Sequence, residues 1–109
     1  MRKYHNQPVV VNGIKFDSRR EARRYQELQL LLRAGEITQL ELQKKYPLIP
    51  SQKKPSGGTE RACTYTADFV YRDKTGREIV EDSKGMKTQQ YIIRRKLMLY
   101  IHGIEVKEI

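Results

Sequence analysis

The sequence has a single cysteine, Cys63, and no tryptophan. One cysteine closes no internal disulfide, and no Cys/His group has the spacing of a zinc site, which excludes a disulfide scaffold and a zinc finger. No apolar stretch approaches the roughly 20 residues that a membrane helix needs. The first ten residues, MRKYHNQPVV, lack the apolar run of a secretory signal, so a cytoplasmic setting with no membrane partner is expected. Acidic residues are also scarce: 13 Asp and Glu stand against 22 Lys and Arg, a formal charge of +9 on 109 residues. That length fits one domain, read as 1–109, burying about two-thirds of its unfolded surface. Hydrophobic residues make up 38%, so its core is thin. An excess of positive charge on so short a chain points to a polyanionic partner, of which nucleic acid is the commonest. Charge that merely solvates the surface is the alternative.

No internal repeat or low-complexity tract is present. Val9-Val10-Val11-Asn12-Gly13-Ile14-Lys15-Phe16 reads as a β-hairpin, with Asn12-Gly13 at the positive-φ positions of a type I′ turn. Such a hairpin is marginal alone and packs either on its own domain or on a second subunit, the latter giving a homodimer. Ser18-Arg19-Arg20-Glu21 has the capping-box pattern. Ala22, Tyr25, Leu28, Leu31 and Leu32 then recur at helical spacing until Gly35. Thr38 to Ile49 reads as a strand bent near Pro47, followed by a polar loop over 51–58. Arg61 to Tyr71 and Arg77 to Lys84 read as strands joined by a tight turn. Thr88 to His102 reads as a helix ended by Gly103, and 104–109 as a short alternating strand. Beyond the hairpin the order is α-β-β-β-α-β, a mixed α/β arrangement around one sheet.

The turn between the central strands sets a register. A three-residue loop, Lys74-Thr75-Gly76, places glycine where a type I turn with a G1 bulge requires it and closes Asp73 against Arg77. Val70 then faces Val80, Asp68 faces Asp82 and Thr66 faces Lys84. Alternation puts Asp68, Asp82 and Lys84 on one face. Opposed carboxylates repel, so something positive is needed between them: Lys84 or a divalent cation. Oxygen ligands of this kind suit Mg²⁺, which takes one or two carboxylates with waters and phosphate oxygens and supports phosphodiester hydrolysis. A pair of aspartates on the wet face of a hairpin is the plainer alternative. Glu21 is the third acid. It lies on the core-facing stripe of its helix, yet its N3 position in the capping box is explanation enough on spacing alone.

Basic residues cluster at Arg19-Arg20 with Arg23-Arg24, at Lys44-Lys45, at Lys53-Lys54 and at Arg94-Arg95-Lys96, with Lys87 nearby. They read as phosphate contacts without a base-reading code, or in part as ordinary solvated faces. Cys63 reads as a small buried hydrophobe, and His5 and His102 carry no assigned role.

Three segments in order, Phe16-Asp17-Ser18-Arg19-Arg20-Glu21-Ala22-Arg23-Arg24-Tyr25, Tyr65-Thr66-Ala67-Asp68-Phe69 and Val80-Glu81-Asp82-Ser83-Lys84-Gly85, resemble the PD-(D/E)XK nuclease superfamily. More closely, the chain is similar to short phage-encoded endonucleases, some of which resolve Holliday junctions. The resemblance spans nearly the whole chain, and the superfamily's αβββαβ, restriction-endonuclease-like core has the order read above. Ala67 stands where the superfamily's proline would be. The resemblance implies metal ligation by Asp68 and Asp82, an additional acid at Glu21 acting directly or through water, and catalysis by Lys84. It implies Mg²⁺, with Mn²⁺ able to substitute, and branched DNA as substrate in phage recombination or replication, in the bacterial host cytoplasm. Gln43 and Gln89 are candidates for supporting or phosphate contacts. A nicking or flap endonuclease is the runner-up, and a non-catalytic basic binding module with a degenerate site is the competing class.

Overall fold

The computed structural model describes residues 8–83 and 86–109. It is a mixed α+β fold in which, among those residues, two helices and eight strands are formed. The elements are β1 (Val9–Val11), β2 (Ile14–Phe16), α1 (Arg19–Arg33), β3 (Thr38–Ile49), β4 (Gln52–Lys53), β5 (Thr59–Glu60), β6 (Cys63–Arg72), β7 (Glu78–Asp82), α2 (Gln89–His102) and β8 (Lys107–Glu108). The chain divides into two compact units, one running up to Leu40 and including Tyr71–Glu78, the other comprising Glu41–Val70 and Ile79–Ile109.

In the first unit the expected hairpin forms. Val11 pairs with Ile14 across Asn12 and Gly13, whose φ values of 51° and 78° are those of a type I′ turn. Its two strands form a sheet of their own. Phe16 is buried and its ring lies 4.9 Å from that of Tyr25, so the hairpin packs on α1 within its own unit. Ser18 Oγ accepts the Glu21 N–H at 3.1 Å, the bond the capping box requires. α1 buries Glu21, Ala22, Tyr25 and Leu28, and it closes on Gly35 at φ 78° with Glu36 N–H donating to Leu31 O. The central turn also belongs to this unit. Asp73 N–H donates to Arg77 O, Gly76 N–H donates to Asp73 O, and Gly76 takes φ 85°, as the three-residue loop predicts. Asp73 Oδ1 accepts from the Thr75 hydroxyl, Thr75 N–H and Arg77 N–H. Those donors, the hydroxyl foremost, hold its carboxyl below the ordinary aspartate value.

The second unit carries the main core. β3, β6, β7 and β8 are hydrogen-bonded in that order, with β8 parallel to β7 through Glu81↔Lys107 and Asp82↔Glu108. The β7–α2–β8 segment is therefore a parallel crossover built on a helix. Tyr46, Leu48, Tyr65, Ala67, Val70, Val80, Tyr91, Met98 and Val106 form one buried cluster. Thr88 caps α2, its hydroxyl accepting the Tyr91 N–H, and Gly103 at φ 67° ends it with Ile104 N–H donating to Met98 O.

Three expectations change. β3 runs through Pro47 without a break, because it is an edge strand and a proline there removes no ladder bond. Its irregular positions are Gln39 and Gln43, at φ 56° and 53°. The stretch 51–58 is no plain loop: Gln52 pairs with Glu60 and Lys53 with Thr59, around left-handed Gly57 and Gly58. Finally, only Lys107–Glu108 of the terminal segment is a strand.

Candidate active site

The central acids sit where β6 and β7 meet, in the second unit. Asp82 is fully buried at the end of β7, and a buried carboxylate needs donors. The Tyr65 hydroxyl supplies one, 2.5 Å from Asp82 Oδ2. Burial, then this bond, then the charges of Asp82 and Asp68 push the Tyr65 phenol upward, so it remains a proton donor across the working pH range. Asp82 is followed by Ser83, whose N–H donates to Asp68 Oδ2, so the two acids share one neighbourhood.

Asp68 is held differently. Its Oδ2 accepts the Ser83 N–H at 2.8 Å and its Oδ1 accepts from Gln43 Nε2 at 3.2 Å. β7 ends at Asp82, and the Asp68 side chain takes the Ser83 amide beyond it. Gln43 reaches Asp68 from the left-handed backbone conformation noted above, a costly one for a residue with a side chain, and costly conformations concentrate at functional sites.

Strict alternation puts Tyr65 and Asp82 on opposite faces, and the structure does not. β6 buries Phe69, Val70 and Tyr71 in succession, and Ala67 and Val70, three residues apart, join the same cluster. The two-residue period is interrupted between them, which re-aims the side chains of the strand's first half. Tyr65 is the site residue the sequence reading missed. The available signal was chemical: a buried acid needs a donor, and Tyr65 is a hydroxyl-bearing strand residue.

Glu21 is buried on α1 in the first unit. Lys84 lies outside the described residues. Among the described residues no three His, Cys, Asp or Glu side chains gather to hold a metal ion. The pair Asp68 and Asp82 nonetheless has the chemistry Mg²⁺ requires. Both are hard oxygen donors, and Asp68 is held only by neutral donors that leave its charge uncompensated among the described residues.

The expected DNA-contacting residues divide. Arg19, Arg20 and Arg23 are exposed on α1, and Lys53 and Lys54 are exposed on the β4–β5 hairpin. Arg24 pairs with Glu27 at 3.0 Å, and Lys44 pairs with Glu41 at 3.5 Å and lies over the Tyr46 ring. Arg95 and Lys87 both engage Glu108, at 2.9 and 3.4 Å, together with the Tyr91 hydroxyl at 2.7 Å. Gln89 is exposed in the first turn of α2. His102 Nε2 lies 2.6 Å from Pro47 O and, since a carbonyl only accepts, carries the hydrogen. Cys63 is half-buried and free.

A family model described as "Protein of unknown function (DUF1064)" matches residues 1–108. The chain belongs to this family. No curated protein and no solved structure matches it. The matched residues include Glu21 in the first unit and Asp68 and Asp82 in the second. No helix among the described residues is long and apolar enough to cross a membrane.

Proposed function

We propose that this DUF1064 chain is a Mg²⁺-dependent DNA endonuclease acting on branched DNA such as four-way junctions. The observation that carries the reading is the pair of acids from adjacent strands: Asp82 accepts the Tyr65 hydroxyl, and Asp68 accepts the N–H of Ser83, the residue after it. Asp68 and Asp82 would hold the cation, which when bound polarises a phosphoryl oxygen and lowers the pKa of a coordinated water. Tyr65 keeps Asp82 Oδ2 engaged, while Gln43 and the Ser83 amide fix Asp68, so both carboxylates are oriented before substrate arrives. Lys84, two residues after Asp82, would be the positive group that offsets charge on the phosphoryl oxygens as water adds and one P–O ester bond breaks. The superfamily resemblance would add Glu21 as a further acid, and Mn²⁺ is the expected substitute metal. Paired cuts in a junction need two sites, which a homodimer supplies.

The chain should cleave a labelled four-way junction with Mg²⁺ and not in EDTA. Lys84→Ala should abolish cleavage while leaving binding in EDTA nearly unchanged, because its contribution arises in the transition state. An active Lys84→Ala enzyme would overturn the site. A nicked duplex and a flap, cut in parallel, separate junction selectivity from the nicking and flap readings. The buried Tyr65–Asp82 bond also favours a second reading, a binding module in which the acids persist as a structural polar cluster. Such a module binds the same DNA in EDTA and never cuts it when Mg²⁺ is restored.

A further inference from the structure

The basic run at the middle of α2 holds two arginines with different circumstances. Arg95 is committed to Glu108 and lies over the Tyr91 ring. Arg94 is not: its Nε is buried and, among the described residues, has no hydrogen-bond partner. Arg94 faces a cavity of about 440 Å³ whose lining includes Thr64, Thr66, Asp82, Thr88 and Tyr91, all in the second unit. Arg94 as a whole is half-buried, but an Nε–H buried without an acceptor is costly, and native structures seldom keep one unless something else completes it.

We propose that this cavity seats one phosphate of the bound DNA strand, with Arg94 as its charged contact. The inference rests on the nucleic-acid reading above but not on cleavage. The missing group must accept a hydrogen bond from Nε, and phosphate, an anionic acceptor, matches the planar guanidinium fork. Three threonine hydroxyls add donors, one of them Thr88, the cap of α2, whose first turn carries no acidic residue. The cavity exceeds a phosphate alone and accommodates the adjoining sugar. Asp82 on the same wall repels a free anion. The site therefore suits a phosphodiester carried in by a strand that is anchored elsewhere, and it places that strand beside Asp82.

The test is a neutralisation scan in EDTA. A fluorescent four-way junction is prepared with a single uncharged methylphosphonate at each position in turn along one strand, and affinities are measured by anisotropy. For the wild-type chain, one position should weaken binding by about fivefold or more, the scale of a single charge-assisted contact. Arg94→Ala should bind unmodified junction about as weakly as the wild type binds that modified one, and should lose nothing further there. Arg94→Lys, which keeps the charge, should recover part of the loss and shows whether the alanine variant failed only by misfolding. An Arg94→Ala scan identical in pattern to the wild type's overturns the proposal, as does a wild-type scan with no sensitive position. Inorganic phosphate at millimolar concentration should not reverse the Arg94-dependent component once ionic strength is matched; if it does, the cavity binds a free anion and the strand assignment fails. A scan that succeeds for a chain that never cuts DNA would leave this site standing and remove the nuclease reading.

Discussion

At the scale of single residues, two buried groups govern the site, and they respond differently to substitution. Asp82 is a fully buried carboxylate that accepts the Tyr65 hydroxyl. Tyr65→Phe removes that donor and leaves the charge in place, which should cost about 1.5–3 kcal/mol, the range for a hydrogen bond to a charged group. Asp82→Asn should cost less or stabilise, because the amide oxygen still accepts from Tyr65 and the buried charge is gone. Urea unfolding in EDTA ranks the two variants, and a Tyr65→Phe protein as stable as the parent would show that the bond contributes nothing. The aspartates were legible because their residue type and spacing in Ala67-Asp68-Phe69 and Glu81-Asp82-Ser83 are themselves the signal. Tyr65 was not, because its partner is set by an interruption of alternation between Ala67 and Val70 that no local pattern announces. Gln43 was legible only as a candidate, since its left-handed backbone belongs to a residue type that rarely adopts it.

Elements were legible wherever a local rule fixes them. Asn12-Gly13, the Ser18 cap, the Lys74-Thr75-Gly76 loop and Gly103 all perform the roles their types dictate. The stretch 51–58 was misread because breakers mark a turn without saying whether flanking residues pair. Here Gly57 and Gly58, both left-handed, let Lys53 meet Thr59. The parallel β7–β8 pairing depends on α2 returning the chain, a long-range event that Lys107 and Glu108 do not encode by themselves. Gly103 gives the element-scale prediction. At φ 67° it supplies the conformation that lets Ile104 N–H close on Met98 O, and open space surrounds the position a Cβ would take. Gly103→Ala should therefore act through backbone strain alone and destabilise by about 1 kcal/mol, the cost of placing an L-residue in the left-handed region. Gly103→Asn should recover part of that loss in thermal unfolding, and an alanine variant matching the parent would show that the end of α2 does not hold this conformation in solution.

Across the whole molecule, charge was the most legible property and its internal distribution the least. The excess of +9 was evident from composition, but the commitment of Arg95 and Lys87 to Glu108 was not, because those partners meet only once α2 and β8 are placed. That junction should shape the pH dependence of stability on both sides. The Tyr91 hydroxyl, then Arg95 and Lys87, hold the Glu108 carboxyl below the ordinary glutamate value. A depressed folded value means that the stabilisation is present at neutral pH and is lost as pH falls below roughly 4 and through the folded value. Tyr91 moves the other way, raised by burial first and then by its bond to Glu108, with Arg95 opposing. Its contribution is complete below the unfolded tyrosine value of about 10 and declines as pH rises from there toward the folded one. One substitution, Tyr91→Phe, removes the titrating hydroxyl and the leading cause of the Glu108 shift together. Denaturation midpoints measured from pH 3 to pH 11 should therefore fall less steeply for Tyr91→Phe at both ends. Part of the acid limb should survive, because Asp73 in the central turn is depressed by donors of its own. A Tyr91→Phe profile parallel to the parent's above pH 10 would mean that Tyr91 ionises as freely in the folded chain as in the unfolded one, contrary to its place between α2 and β8.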